Sequence, residues 1–157
     1  MRPTLLRVCA VLSSVASLGT SIATPLYASG SDPFAYKLEF GGELDKEDTA
    51  VSKRYTALFE ACQKRAFIEH ENVACFDAEF VRQDAELNRA WKIALGRLPA
   101  MTRKPLLIAQ RKWIAARDPF CKTIEDGLSG GTIAPVSYSD CRVEQTIRRT
   151  VWLENLR

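Results

Sequence analysis

Apolar residues return every three or four positions through most of the chain after residue 48, which is the spacing of a helix face that is turned toward a core. Four segments carry this pattern: 48–65, about 75–98, about 102–120, and a last one that starts at Asp140. No segment alternates apolar and polar residues in the manner of a half-buried strand. The sequence therefore predicts an all-α fold, a small bundle of about four helices in which short connections make consecutive helices antiparallel.

Prolines and capping residues indicate where these helices begin and end. Pro99 follows the second helix and stops it. Pro105 fits the first turn of the third helix, with Thr102 or Arg103 near the cap. Asp140 is suited to cap the N-terminus of the fourth helix, because its carboxylate can accept from free backbone amides.

The first 23 residues have the layout of a secretory signal peptide. Arg2 and Arg7 precede and flank an apolar stretch, and Ser21-Ile22-Ala23 has the small-x-small pattern of a cleavage site. The rival interpretation is a membrane anchor, but serines interrupt the stretch, and a spanning helix needs about 20 mainly apolar residues. We therefore predict a signal peptide over 1–23, a flexible segment over 24–48 and a helical domain over 49–157 of a periplasmic or secreted protein.

Loss of the signal peptide changes the charge of the protein. The whole chain has 22 basic and 19 acidic residues, and removal of Arg2 and Arg7 leaves a net charge of +1. A near-neutral domain gives no electrostatic reason to expect nucleic acid as a partner. We also expect no stable membrane insertion once the signal is removed.

Four cysteines remain in the predicted mature chain, and an even number in a small exported protein indicates two disulfides. They are Cys62, Cys75, Cys121 and Cys141. A zinc site is the alternative, but the chain has no CxxC pair, and its one histidine, His70, is not at ligand spacing from a cysteine. The antiparallel helices bring all four cysteines to one end of the bundle, so this geometry leaves all three pairings open.

Polar residues interrupt the apolar faces of the second and third helices. Because these two helices are consecutive and antiparallel, their heights can be matched, and Asp84 and Arg117 both lie about 25 Å from the turn, at roughly 1.5 Å per residue. We expect these two to form a partly buried ion pair that fixes the register. The other members of this predicted structural polar network are Asn88, Gln110, Trp113 and Asp118, with Asn88 facing Trp113 and Gln110 facing Trp91.

The same residues give the chain a resemblance to the LprI-like lysozyme inhibitors, a family of exported bacterial proteins. The matching pieces are Cys62, Cys75, Asp84-x-x-Leu87-Asn88-x-x-Trp91-x-x-x-Leu95, Gln110-x-x-Trp113-x-x-x-Arg117-Asp118-x-x-Cys121, Gly130-Gly131-Thr132 and Cys141-x-x-x-x-Thr146-x-x-Arg149-x-x-x-Leu153. Trp91 stands where members often have tyrosine. The resemblance implies an all-helical domain that inhibits lysozyme, and it supplies no catalytic residue.

Loop closure and this resemblance together favour local disulfide pairing, Cys62 with Cys75 and Cys121 with Cys141. The second bridge would clamp the ends of segment 122–140, whose glycines, serines and proline predict a long surface loop.

The sequence favours binding over catalysis, because His70 is the only imidazole and nothing marks a nucleophile. We expect no enzyme activity, no cofactor and no metal site. A lysozyme inhibitor must block a cleft that holds two carboxylates, and a clamped loop on a rigid scaffold can do so. The candidate partner-binding residues in the loop are Glu125, Asp126, Gly130, Gly131 and Thr132. Glu125, Asp126 and Asp140 could face a basic lysozyme surface. The alternative function is an envelope interaction module whose protein partner is not lysozyme.

Overall fold

The computed structural model describes residues 46–156, with side chains from residue 49 onward. Within this range the chain forms five helices and no strand, so the all-α prediction is confirmed. The helices are α1 (Lys46–Ser52), α2 (Ala57–Gln63), α3 (Glu69–Arg97), α4 (Ala100–Gly127) and α5 (Ile133–Asn155). The predicted signal peptide and all but the last residues of the predicted flexible segment lie outside the described residues.

The helix predicted over 48–65 is in fact two short helices, α1 and α2. Thr56 separates them: its backbone is extended, with φ −79° and ψ 153°, and its side chain accepts a hydrogen bond from the amide of Phe59. The amide of Thr56 donates to a carboxylate oxygen of Glu79 on α3 at 3.0 Å. The break is stable because these side chains replace the backbone bonds that a continuous helix would have made.

Helix α5 is the centre of the bundle. It packs against α1, α3 and α4, and the backbones of α3 and α4 each come closer to α5 than to each other. The core lies along α5, where Val143, Ile147 and Leu153 are fully buried. The apolar faces of α3 and α4 share one buried cluster, to which Leu87 and Ala94 of α3, Leu106 and Trp113 of α4, and Leu153 of α5 contribute.

The predicted loop over 122–140 is also wrong, because both flanking helices extend into it. Helix α4 continues through Pro119 to Gly127, and α5 starts at Ile133. Pro135 falls in the first turn of α5, where a missing amide costs little. Asp140 is therefore an interior residue of α5 and not its N-cap, and only residues 128–132 connect the two helices.

Helix α4 begins earlier than predicted. Pro99 is its N-cap residue and Ala100 its first helical residue, so Thr102 and Arg103 lie inside the helix. Pro105 is consequently beyond the first turn. No helix in the described part of the chain is long and apolar enough to cross a bilayer.

Both disulfide pairings are confirmed. Cys62 is bonded to Cys75, which joins α2 to α3 with 5.7 Å between the Cα atoms. Cys121 is bonded to Cys141, which joins α4 to α5 with 5.6 Å between the Cα atoms. Because α4 and α5 are longer than predicted, the second bridge links two helices and does not close the base of a loop.

A buried carboxylate, Glu79, fastens the α1–α2 segment to α3. It is fully buried and accepts from the hydroxyl of Thr56 at 2.6 Å, from Gln83 at 2.7 Å and from Arg82 at 2.9 Å. Burial acts to raise the pKa of Glu79, but the hydrogen bonds from Thr56, Gln83 and Arg82 outweigh it and hold the pKa below the ordinary value.

A second anchor joins the α1–α2 segment to α5. The hydroxyl of Tyr55 donates to the Asp140 carboxylate at 3.0 Å. Burial, with a smaller contribution from the neighbouring Asp140, raises the pKa of Tyr55 far above its ordinary value. Burial likewise raises the pKa of Asp140. The Asp140 carboxylate is therefore held inside the fold by Tyr55, and it is not a surface acid that could face a partner protein.

We predict that Glu79→Gln lowers the free energy of unfolding by about 2 kcal/mol at neutral pH, because charge-assisted hydrogen bonds are replaced by weaker ones. A carboxylate whose pKa is lower in the folded protein than in the unfolded chain stabilises the fold when the pH is above the unfolded-state pKa. This stabilisation is lost as the pH falls. The difference between wild type and variant should therefore shrink below the ordinary glutamate pKa of 4.5. Urea denaturation over acidic and neutral pH measures this difference in the free energy of unfolding.

Glu86→Gln is the matched control, since Glu86 lies on the same helix in an exposed ion pair with Arg89. Equal effects of the two substitutions would contradict the anchoring role.

We further predict that Tyr55→Phe reduces the loss of stability at alkaline pH. The folded protein keeps the Tyr55 proton above pH 10.0, the ordinary tyrosine pKa, whereas the unfolded chain releases it, so stability falls as pH rises. At neutral pH the variant should be about 1 kcal/mol less stable because the bond to Asp140 is lost. Denaturation at a series of alkaline pH values gives the slope. Tyr138→Phe, the control, should keep the wild-type slope, and a steep slope in Tyr55→Phe would refute the prediction.

Candidate functional site

The α4–α5 connection is a short turn held in one conformation by its own backbone. Ser129 and Gly130 have positive φ angles, 54° and 75°. Glycine adopts this region without penalty, but serine does so at some cost. Backbone bonds hold the turn, from the amide of Leu128 to Glu125 at 3.1 Å and from the amide of Gly131 to Leu128 at 3.3 Å. The turn is therefore preorganised, although its sequence resembles that of a flexible loop.

A pocket of about 420 Å³ lies beside this turn. Its wall includes Glu69 from the first turn of α3, the last turns of α4, and the first residues of α5. All five residues predicted to bind a partner line it: Glu125, Asp126, Gly130, Gly131 and Thr132. The structure thus brings together the predicted residues, and it adds Glu69 and Lys122, which the sequence analysis did not select.

The charged groups of the pocket are mainly acidic. Its wall holds the carboxylates of Glu69, Glu125 and Asp126 against the single ammonium group of Lys122. Lys122 bridges Glu125 at 2.9 Å and Asp126 at 3.1 Å. The hydrogen bond to Glu125, followed by that to Asp126, raises the pKa of Lys122. Since Lys122 is one charge among three carboxylates, the pocket presents net negative charge to solvent.

Exposed apolar side chains adjoin this acidic pocket in the chain. Phe67 and Ile68, which directly precede Glu69, are 86% and 49% exposed. Leu128 and Ile133, at the two ends of the turn, are 39% and 56% exposed. We call the region formed by residues 67–69 and 125–133 the end surface. It combines apolar and acidic groups at one end of the bundle.

The backbone beneath Phe67 is held in place. The carboxylate of Glu71 accepts from the amide of Phe67 at 2.8 Å and from that of Ile68 at 3.4 Å. The hydrogen bond from Phe67 is the main cause of the lowered pKa of Glu71. An anchored backbone that carries an exposed aromatic ring is suited to recognition. Sequence analysis missed Phe67 because the connector 66–74 gives no periodic signal.

The predicted ion pair between Asp84 and Arg117 is wrong. Asp84 accepts from Asn88 on its own helix at 3.0 Å, and Asn88 is exposed. Arg117 donates instead to its neighbour Asp118 at 2.8 Å and to Thr146 on α5 at 3.4 Å. The Arg117 guanidinium is turned toward Thr146 and the ring of Phe80, and Asp84 is satisfied within its own helix.

The polar network therefore runs from α4 to α5. Arg149 of α5 is fully buried and donates to Gln110 of α4 at 2.8 Å. Its guanidinium lies 3.9 Å from the ring centre of Trp152 and 5.6 Å from that of Trp113. The Arg117 guanidinium lies 4.7 Å from the ring centre of Phe80. These contacts are buried and hold the register of the helices, whereas the end surface is exposed to a partner, and we take the end surface as the candidate functional site.

Comparison with known proteins agrees with this description. The family described as lysozyme inhibitor LprI matches residues 60–153, a range that holds both disulfides, the polar network and the end surface. An uncharacterized protein of Rhizobium meliloti (strain 1021) is 30% identical over 95 residues, which are 52% of this chain and 68% of that protein. No solved structure matches the chain. The match over more than half of the sequence shows that the chain belongs to the LprI lysozyme-inhibitor family.

Proposed function

We propose that the protein inhibits a lysozyme by placing the end surface over the active-site cleft of the enzyme. The observation that carries the proposal is the preorganised turn, beside which exposed apolar side chains flank an acidic pocket. Family membership supports lysozyme as the class of target, and the exposure and geometry of the end surface support this part of the chain as the binding site.

The turn fits the requirement of a cleft-blocking element. It protrudes between two helices that the Cys121–Cys141 bridge joins, and its own backbone bonds restrict it. A restricted segment loses less conformational entropy on binding than a free loop. Leu128 and the exposed glycines can enter the cleft, because they carry no negative charge toward the catalytic carboxylates of the enzyme.

The acidic residues have a separate part in this arrangement. Glu69, Glu125 and Asp126 lie beside the turn and would face basic groups on the surface of a lysozyme around its cleft. Lys122 offsets part of their charge, so we expect electrostatic steering to be modest and inhibition to depend only moderately on salt.

We predict that the double variant Phe67→Ala/Leu128→Ala inhibits lysozyme about tenfold or more weakly than wild type, because truncation of a buried aromatic anchor at an interface commonly costs about 2 kcal/mol or more. A muramidase assay with the folded, oxidised protein against several lysozyme types measures this. Val81→Ala/Ile93→Ala is the matched control, since both side chains are exposed apolar residues of α3. The control should inhibit like wild type.

The outcomes separate the function from the site. Equal inhibition by wild type and Phe67→Ala/Leu128→Ala would keep the function and reject the end surface. Failure of the wild-type protein to inhibit any lysozyme type would reject the function. In that case the second candidate, an envelope interaction module with another protein partner, is favoured by the group of exposed apolar side chains on the end surface, which suits a protein partner without specifying lysozyme.

We also propose that the protein acts outside the cytoplasm and is cleaved after Ala23. Two disulfides are typical of an oxidising compartment. The expected mature protein begins at Thr24, and mass spectrometry of the exported product tests this. An intact N-terminus at Met1 or a product embedded in the membrane would contradict the proposal.

A further inference from the structure

The outward side of α4 is unusual for a helix on a protein surface, because it exposes several large apolar residues. Met101 is 84% exposed, Ile108 47% and Ile114 50%. Met101 and Ile108 are seven residues apart and lie in one row, and Leu107 and Ile114 form a second row with the same spacing. Among the described helices, α5 is the main packing partner of α4, so this outward side has no cover in the described fold.

Basic residues lie among these apolar rows. Lys104 and Arg111, again seven apart, fall between the two rows on the helix surface. Arg103 and Lys112 flank them, and all four side chains are exposed. Residues 100–117 contain no aspartate or glutamate. Arg103 donates to the carbonyl oxygen of Leu98 at 3.4 Å, but none of the four forms an ion pair with a described residue, so no described acid neutralises their charge.

We propose that this outward side, which we call the α4 face, binds peripherally to a bilayer surface that contains anionic lipids. Its mixture of cationic and apolar side chains is the pattern of helices that lie in the lipid interface, where basic groups contact headgroups and apolar groups enter the acyl boundary. The helix lies on the bilayer and does not cross it.

Charge decides between this occupant and a second copy of the chain. A symmetric pairing through the α4 face would bring two sets of basic residues together, and residues 100–117 supply no acid to neutralise them. An anionic bilayer neutralises them and also accepts the apolar rows. A soluble polyanion would neutralise the charge but leave the apolar rows in water.

The α4 face and the end surface lie toward opposite ends of α4. Met101 and Leu128 are separated by 27 residue steps, or roughly 40 Å along a helix. A protein attached to lipid through the α4 face would therefore keep its end surface free. The inference does not rest on the proposed inhibition of lysozyme.

Vesicle sedimentation with the full, oxidised chain tests the proposal. We expect at least tenfold stronger binding to vesicles of phosphatidylcholine with phosphatidylglycerol than to phosphatidylcholine alone, since each basic residue near an anionic surface contributes about fivefold. High salt should weaken the binding, because the Debye length falls to about 3 Å at 1 M ionic strength.

Surface variants assign the binding to α4. Lys104→Glu/Arg111→Glu should bind anionic vesicles at least about tenfold more weakly. The matched control Lys53→Glu/Lys92→Glu changes the net charge equally at exposed positions outside α4 and should bind like wild type. Met101→Ser/Ile108→Ser should also weaken binding. All variants share the same N-terminus, so differences among them report on α4, and circular dichroism checks that each is folded. If Lys104→Glu/Arg111→Glu is unfolded, the variant Lys104→Gln/Arg111→Gln, which removes the two charges without reversing them, is measured in its place.

Three results would overturn the proposal. The first is equal weakening by the α4 pair and by its control pair, which would indicate a general charge effect. The second is the absence of a preference for anionic vesicles. The third is full binding by Met101→Ser/Ile108→Ser together with equally tight binding of wild type to soluble polyphosphate, which would indicate a polyanion site.

Discussion

The arrangement of the bundle depends on the burial of one guanidinium group. Arg149, in the C-terminal half of α5, has no exposed surface, and it donates to Gln110 while its cation lies against Trp152. Burial of a charge is expensive unless hydrogen bonds and polarizable neighbours stabilise it. This requirement permits one register of α4 on α5, and the position of the α4–α5 turn follows from that register.

Covalent and polar anchors hold the two smaller helices, α1 and α2, on α3. Glu79 satisfies the amide and hydroxyl of Thr56 where α1 and α2 are interrupted, and the Cys62–Cys75 bridge holds the end of α2. Short helices of seven residues are not stable alone in water, so they depend on these contacts. The same contacts lead the chain toward Phe67, whose backbone Glu71 then fixes. The end surface is therefore assembled from two parts of the chain by different means.

Much of the fold could be predicted because apolar spacing and cysteine number are local properties of a sequence. The helical segments and both disulfide pairs follow from them together with the family resemblance. The central helix could not be identified, because α5 buries polar residues such as Gln145, Thr146 and Arg149, which a pattern of apolar positions assigns to solvent. That omission produced the mistaken pairing of Asp84 with Arg117. The glycines, serines and proline of segment 122–140 similarly indicated an early end of α4, whereas the Lys122 ion pairs with Glu125 and Asp126 lie in the last turns of a helix that runs to Gly127. The predicted partner-binding residues do line one pocket despite these errors, since they lie in or next to the 128–132 turn, which is also part of the predicted 122–140 loop.

The Cys121–Cys141 bridge joins the interiors of two helices, with the exposed turn between them. A protease that cuts the chain within residues 128–132 would therefore leave two fragments that are still covalently joined. The buried contact between Arg149 and Gln110 lies outside the cut segment and would keep α5 in place. The fold is thus tolerant of nicking at this turn, because the exposed segment that a protease reaches most easily is also one whose cleavage does not release a helix.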